Sequence, residues 1–399
     1  MNSPTGQWIG DAGILRKVVR ELRQEPVLAV DLEADSLFHY QEKICLIQLA
    51  TQDRIFLVDP LAIAGEIRFL ATVFTDPDIR KIFHGSDYDI RSLHRDFSIE
   101  VVNLFDTEVA CRFLGMKYSG LDTVLQDRFQ ITLDKRFQKK DWSRRPLPDE
   151  MQEYAARDVA FLIPLAESLN TDLHSMGRMD WFEEECQALS RVRYAEISTE
   201  PRFVKMKGAG KLRPRSLAVL ESLMEFREEA AQKKDRPPFK IMSNAVLLDI
   251  SKTLPTDLES LHRLHILSAR QLGMYGQDLI DRVNVALGIP EDQLPGFPRY
   301  SETIPENGYT LSLRALKEAR IRWSNSLSMD PGFICSNALL YRIAVLAPTT
   351  LEELSAVPGI KSWQAKVFGK EILQVIQRTC WEGKRGSGSK NKVHRPHQA

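Results

Sequence analysis

Pro26-Val27-Leu28-Ala29-Val30-Asp31-Leu32-Glu33 is the stretch that decides the fold. Its apolar opening reads as a buried strand, and the strand closes on two carboxylates. Side chains alternate across a strand, so residues 31 and 33 point to the same side. Two carboxylates side by side at the end of a buried strand repel each other. They also lose hydration unless protonated or neutralised by a cation. The economical neutraliser is a hard divalent ion such as Mg²⁺ or Mn²⁺, which takes oxygen ligands.

Two further clusters lie downstream. Lys81-Ile82-Phe83-His84 reads as a short strand, Gly85-Ser86 as a turn, and Asp87 to Phe97 as a helix with Ile90 and Leu93 on its apolar face. Asp89 falls in the first turn of that helix. Taken locally, Ser86 and Asp89 fit a capping box, which would make Asp89 a structural residue. The third cluster is Tyr154 and Asp158, in a helical stretch that begins near Pro148. Residues four apart share a helix face, so phenol and carboxylate can converge. The same spacing also arises by chance, as a half-buried tyrosine and a solvated acid.

In order, context and spacing, the three clusters resemble the DEDDy class of 3′→5′ exonucleases, which has a ribonuclease H-like fold. The first motif is Asp31-Leu32-Glu33, the second His84-Gly85-Ser86-Asp87-Tyr88-Asp89, the third Tyr154-Ala155-Ala156-Arg157-Asp158. Cys45-Leu46-Ile47-Gln48-Leu49, Asn103-Leu104-Phe105-Asp106-Thr107 and Asp141-Trp142-Ser143-Arg144-Arg145-Pro146-Leu147 match accessory segments. Asp87 competes for the second motif; Asp89 is preferred because the family's acid stands just before an aliphatic residue, here Ile90. The resemblance covers roughly residues 1–200. It implies an α/β domain with a mixed central sheet flanked by helices. It also implies two metal ions, one held by Asp31, Glu33 and Asp158, the other by Asp31 with Asp89 supporting it through waters. Tyr154 would orient the attacking water, since a free phenol is a poor base at neutral pH.

At 399 residues the chain is long enough for two or three domains. Its 54 basic and 54 acidic residues balance, so overall charge does not decide for or against nucleic acid. Five dispersed cysteines (45, 111, 186, 335, 380), with no Cys-x-x-Cys, fit a reduced compartment and no zinc ribbon. No apolar run reaches membrane-spanning length. The expectation is a soluble cytoplasmic protein.

The second half reads as helical and duplicated. Arg227, Pro238, Ile241, Asn244, Leu247, Ile250, Pro255 and Leu261 recur 93 residues later as Arg320, Pro331, Ile334, Asn337, Leu340, Ile343, Pro348 and Leu354 (320 − 227 = 93; 354 − 261 = 93). That period is too long for a solenoid and indicates a duplicated small domain. Asn244 and Asn337 are expected as helix N-caps, and so are Thr256 and Thr349. The pattern resembles the HRDC domain, a small helical bundle. The expected division is exonuclease domain 1–200, basic linker 201–215, HRDC domain 216–292, linker 293–310, second HRDC-like domain 311–380 and basic disordered tail 381–399. Pro358-Gly359-Ile360-Lys361 has two readings, a phosphate-binding turn or a plain helix connection.

An exonuclease domain followed by two HRDC-like domains resembles the bacterial ribonuclease D family. The implied activity is 3′→5′ trimming of RNA, tRNA precursors and other small structured RNAs included, with release of 5′-mononucleotides. Two other readings stand beside it: a DNA 3′→5′ exonuclease in repair, and a catalytically silent RNA-binding adaptor. No obligate protein partner is indicated. Substrate contacts are expected from Lys139, Lys140, Arg144 and Arg145, in a basic segment just before the Tyr154 helix, and from His39 and Tyr40 on the loop after the first motif. Phe137 and Trp142 are candidates for base stacking, with core packing the competing role for Trp142.

Overall fold

The computed structural model describes residues 5–194, 200–297 and 309–388, with backbone alone for 380–388. Six strands form one mixed sheet: β1 (Gln7–Ile9), β2 (Val27–Ala34), β3 (Ile44–Ala50), β4 (Ile55–Val58), β5 (Arg80–Phe83) and β6 (Leu104–Asp106), in the order β1-β4-β3-β2-β5-β6. The β2–β3 and β3–β4 pairs are antiparallel; β2–β5, β5–β6 and β1–β4 are parallel. The parallel pairs bring the ends of β2, β5 and β6 to one edge, which is where the motif residues lie. Central β3 is buried along its whole length, as its sequence, apolar but for Gln48, favours. This is the expected α/β domain with a mixed sheet flanked by helices.

Beyond residue 200 the described residues are helical, and the duplication is repeated in hydrogen bonds. Arg227 donates to the Met242 carbonyl (3.2 Å), and Arg320 to that of Cys335 (2.7 Å). Gln271 donates to the Ile241 carbonyl (3.2 Å), and Gln364 to that of Ile334 (2.8 Å). Both pairs keep the 93-residue offset. The N-caps fall one residue from expectation. Ser243 and Ser336 accept from the Val246 and Leu339 amides, so Asn244 and Asn337 are the first helical residues. Likewise Asp257 and Thr350, not Thr256 and Thr349, cap the next helices.

The expected linker 201–215 is a folded part of the first helical module. Phe203, Met206 and Ala209 are buried in that module's core. Each large apolar side chain so buried contributes about 1.5–3 kcal/mol, which orders the segment. The tail boundary also moves: the last helix, Ser362–Gly388, runs through the first eight residues of the expected disordered arm. Lys390, Lys392 and Arg395 lie outside the described residues, as do 298–308 of the expected second linker.

The second helical module shares one continuous hydrophobic core with the exonuclease domain. Trp363 stacks on Trp181 (centroids 5.1 Å apart), and Phe333 packs edge-on to Phe113 (4.8 Å). Glu184 accepts from the Ser362 and Trp363 amides (2.6 and 2.9 Å), and Lys361 pairs with Glu185. The Pro358–Lys361 turn is therefore a docking point on the catalytic domain. Its lysine and the amides that follow it are engaged by carboxylates, which removes the phosphate-binding reading.

Candidate active site

Asp31 and Glu33 stand on one face at the end of β2, and the helix Asp149–Ala160 packs across β2, β3 and β4 above them. Its Tyr154 and Asp158, one turn apart, face the strand. Ligand oxygens of Asp31, Glu33 and Asp158 all lie within 4.8 Å of one another. They line a cleft of about 440 Å³ together with Tyr154, His84 and Lys135.

Asp89 sits behind this group, buried in the first turn of the helix Asp87–Phe97. The capping-box reading fails on its donors. Ser86 gives both its amide and its hydroxyl to Asp106 (2.7 Å each), which takes the amide that the Asp89 carboxylate would need, and the Ser86 side chain makes no capping hydrogen bond. Asp106 also accepts from the Gly85, Glu108 and Val109 amides and so clamps the turn that delivers Asp89. Gly85 is required in that turn. Its φ is +74°, and a Cβ there would stand 2.8 Å from Glu108 Oε2. Asp87, the rival acid, is an exposed residue paired with Arg91 (2.8 Å).

The electrostatics are those of a charge set built around a counter-ion. Burial pushes Asp31 up to about 6. Burial, and then the charge of Asp31, pushes Asp158 up to about 8. Glu33 is held well above the ordinary carboxylate range by burial and by the charges of Asp31, Asp158 and Asp89. Asp89 is raised by burial and by Asp31, Asp106 and Asp87. Burial and the same acids raise Tyr154, whose hydroxyl donates to Asp158. The phenol therefore stays protonated at neutral pH and serves as a donor. Convergent, half-buried carboxylate oxygens of this kind fit a hard divalent metal.

Three comparisons bear on this geometry. Residues 7–174 match the 3′–5′ exonuclease family model, and residues 216–283 and 312–376 each match the HRDC domain. Ribonuclease D of Granulibacter bethesdensis is 30% identical over 361 residues, 88% of either chain. Ribonuclease D of Gluconacetobacter diazotrophicus is 29% identical over 361 residues, 90% of either chain. The chain belongs to the ribonuclease D family. The crystal structure of Escherichia coli RNase D, described as an exoribonuclease involved in structured RNA processing, superposes with a TM-score of 0.73 at 25% identity. It covers 95% of this chain and 99% of that one. As a member of the ribonuclease D family, the chain is a divalent-metal-dependent 3′→5′ exoribonuclease, and it binds nucleic acid.

Of the residues expected to touch substrate, the structure leaves Lys139, Lys140 and Arg144 exposed on the basic segment, Arg144 beside Asp141 (3.2 Å). It engages the other three elsewhere. Arg145 forms a bidentate pair with the nearly buried Asp59 (2.7 Å to each oxygen) and donates to the Cys45 and Trp142 carbonyls. A guanidinium so committed ties β4 to the segment before the Tyr154 helix and is not free for phosphate. Arg145→Lys keeps the charge and loses the fork. It is expected to lower stability by about 2 kcal/mol while leaving KM for short RNA unchanged, as denaturant melts and initial rates will show.

His39 and Tyr40 lie at the seam with the first helical module. His39 Nδ1 pairs with Asp235 (2.7 Å) and its Nε2 meets Ser143 Oγ (3.1 Å). The Tyr40 amide donates to Asp235 (3.1 Å) and its hydroxyl to Glu228 (2.8 Å). Of the two stacking candidates, Trp142 is core, and half-buried Phe137 stands edge-on to Tyr154 (5.7 Å).

Sequence reasoning gave no role to Asp106 or Gln48, and counted Lys135 only among the cations of the basic segment before the Tyr154 helix. Asp106 lies in a segment that matches the family, but its five donors come from two separate stretches of chain. Lys135 lines the cleft and pairs with Asp122 (2.6 Å). Gln48 is fully buried opposite Asp31 on β3, and no described group satisfies its amide.

Proposed function

We propose that this exoribonuclease trims the 3′ ends of tRNA precursors and other small structured RNAs in the cytoplasm. We further propose that it releases 5′-mononucleotides by hydrolysis with two divalent ions, Mg²⁺ or Mn²⁺. The observation that carries the chemistry is the convergence of Asp31, Glu33 and Asp158 oxygens within 4.8 Å beneath the Tyr154 helix. Asp31, Glu33 and Asp158 would hold one ion; Asp31, with Asp89 behind it, would serve the second. When bound, the ions supply an acidified water and relief of charge on the phosphorane-like transition state.

The chain's own residues do the rest. Tyr154, kept protonated, donates to Asp158 and so fixes both the carboxylate and its own hydroxyl at the cleft wall. From there the phenol orients the attacking water, and proton acceptance falls to solvent. Ser86 and Asp106 set the turn that carries Asp89. Lys135 at the cleft, with Lys139, Lys140 and Arg144 on the same segment, offers cations to the phosphates of the terminal nucleotides.

Three features support the choice of RNA and the cytoplasm: the ribonuclease D relatives, the paired HRDC modules, and four described cysteines that are buried and unbridged. Among the described residues no helix is long and apolar enough to cross a membrane. The test is digestion of a 3′-extended tRNA precursor with Mg²⁺ or Mn²⁺, with every new 3′ end mapped and products separated by size. Stepwise shortening with release of 5′-mononucleotides is expected. Internal cleavage, oligonucleotide products, or faster removal from matched single-stranded DNA would overturn the reading.

A further inference from the structure

Residues 201–215 carry Arg202, Lys205, Lys207, Lys211, Arg213 and Arg215 and not one acid. Had this been a loose linker, the charges would be an average over many conformations. The structure holds them on a scaffold. Phe203, Met206, Ala209 and Leu212 turn inward at every third residue, on two short 3₁₀ turns, Arg202–Lys205 and Ala209–Lys211. A three-residue repeat places its other positions outward. Arg202, Lys205, Lys207, Lys211 and Arg213 are accordingly exposed. Arg215 departs from the row, turning in to donate to the Leu287 and Ile289 carbonyls.

Neighbouring acids do not quench the row. Glu221 accepts from the Arg202 and Phe203 amides and so fastens the start of the segment to the long helix Pro214–Lys234. Glu228 and Asp235 are engaged by Tyr40 and His39. Among the described residues Lys205, Lys207, Lys211 and Arg213 form no ion pair.

The row also begins beside the catalytic domain. Tyr40 packs against the first helical module's core, to which Phe203, the neighbour of Arg202, belongs. Tyr40 stands on the loop leaving β2, the strand that carries Asp31 and Glu33. One end of the row thus lies at the seam between the catalytic domain and the first helical module. A pre-ordered row of cations with no paired acids, starting at a nuclease's domain seam, matches the repeating charge of a polynucleotide backbone.

We propose that Arg202, Lys205, Lys207, Lys211 and Arg213 form a track for the phosphates of RNA lying 5′ of the nucleotides in the cleft; this rests on the exoribonuclease reading and adds to it where the body of the substrate runs. The track reads charge, so it favours length over sequence. It makes long substrates bind more tightly without altering chemistry at the 3′ end.

The test uses the full chain with Lys205→Gln, Lys207→Gln, Lys211→Gln and Arg213→Gln combined, and a second variant with Lys205→Arg, Lys207→Arg and Lys211→Arg. The probes are an unstructured RNA of about 24 nucleotides and a tetranucleotide with the same 3′ end. For the long RNA the glutamine variant should raise KM about tenfold at unchanged kcat. Its salt dependence of binding should flatten by about 0.7 for each phosphate that is no longer neutralised. The tetranucleotide should be cleaved as by wild type, and the arginine variant should behave as wild type on both. Unchanged KM and salt slope on the long RNA, or an equal loss on the tetranucleotide, would overturn the track. A wild-type chain that shortens neither RNA would instead defeat the exoribonuclease reading, and the salt slope would still decide the track.

Discussion

Asp31→Asn lowers kcat by about 10³-fold or more and at the same time raises the melting temperature of the metal-free protein. The two effects have one cause. Asp31 is a member of the close carboxylate set and adds to the charge that raises Glu33, Asp89 and Asp158. Replacing its charge with a neutral amide of the same shape weakens metal binding, which supplies several kcal/mol of transition-state stabilisation, and each 1.36 kcal/mol is tenfold in rate. The same replacement removes a repelling charge from a buried cluster, and without metal that is relief. A residue that merely held the fold together would lose activity and stability together. Single-turnover shortening of RNA, with thermal melts in chelator, separates the cases; a melting temperature that falls with activity would contradict the metal-site role.

Metal-free stability falls as pH rises from about 4 to about 8, and added Mn²⁺ reverses the trend. Carboxyls raised on folding hold protons more tightly in the folded chain than in the unfolded one. Their stabilising contribution is complete below the ordinary carboxylate range. It is lost as pH climbs through about 6, where Asp31 ionises, towards about 8, where Asp158 does. A divalent ion takes the place of those protons, so its stabilisation grows over the same window. At a hundredfold excess over Kd it is worth about 2.7 kcal/mol. Melting curves from pH 5 to 8.5, with chelator and with Mn²⁺, should diverge as pH rises. Parallel curves, or a metal-free midpoint that rises between pH 6 and 8, would contradict this.

What could be read from the sequence was local or periodic. The run Pro26–Glu33 declared a buried strand and its two acids, and the spacing of Tyr154 and Asp158 put them on one helix face. The 93-residue offset exposed the duplication, and the same arginine and glutamine hydrogen bonds recur at that offset. What was hidden depends on partners distant in the chain. Ser86 and Asp89 had the spacing of a capping box, yet Asp106, on another strand, takes both of Ser86's donors. Arg145 looked like one more cation in a basic segment until Asp59 was placed beside it. Tyr40 and His39 looked like a free loop because Asp235 and Glu228 are almost two hundred residues away. The segment 201–215 read as a linker because it is basic and punctuated by Gly208, Gly210 and Pro214, while the three-residue period of its buried residues matches neither an α-helix nor a strand.

Anomalous diffraction at the manganese edge, from crystals grown with Mn²⁺ and a 5′-mononucleotide, tests the central claim most directly. Two peaks about 3.5–4 Å apart are expected, one among Asp31, Glu33 and Asp158 and the other on the Asp31–Asp89 side, and none in Asp31→Asn crystals. Manganese bound elsewhere, or no peak at these carboxylates with the nucleotide in the cleft, would contradict it.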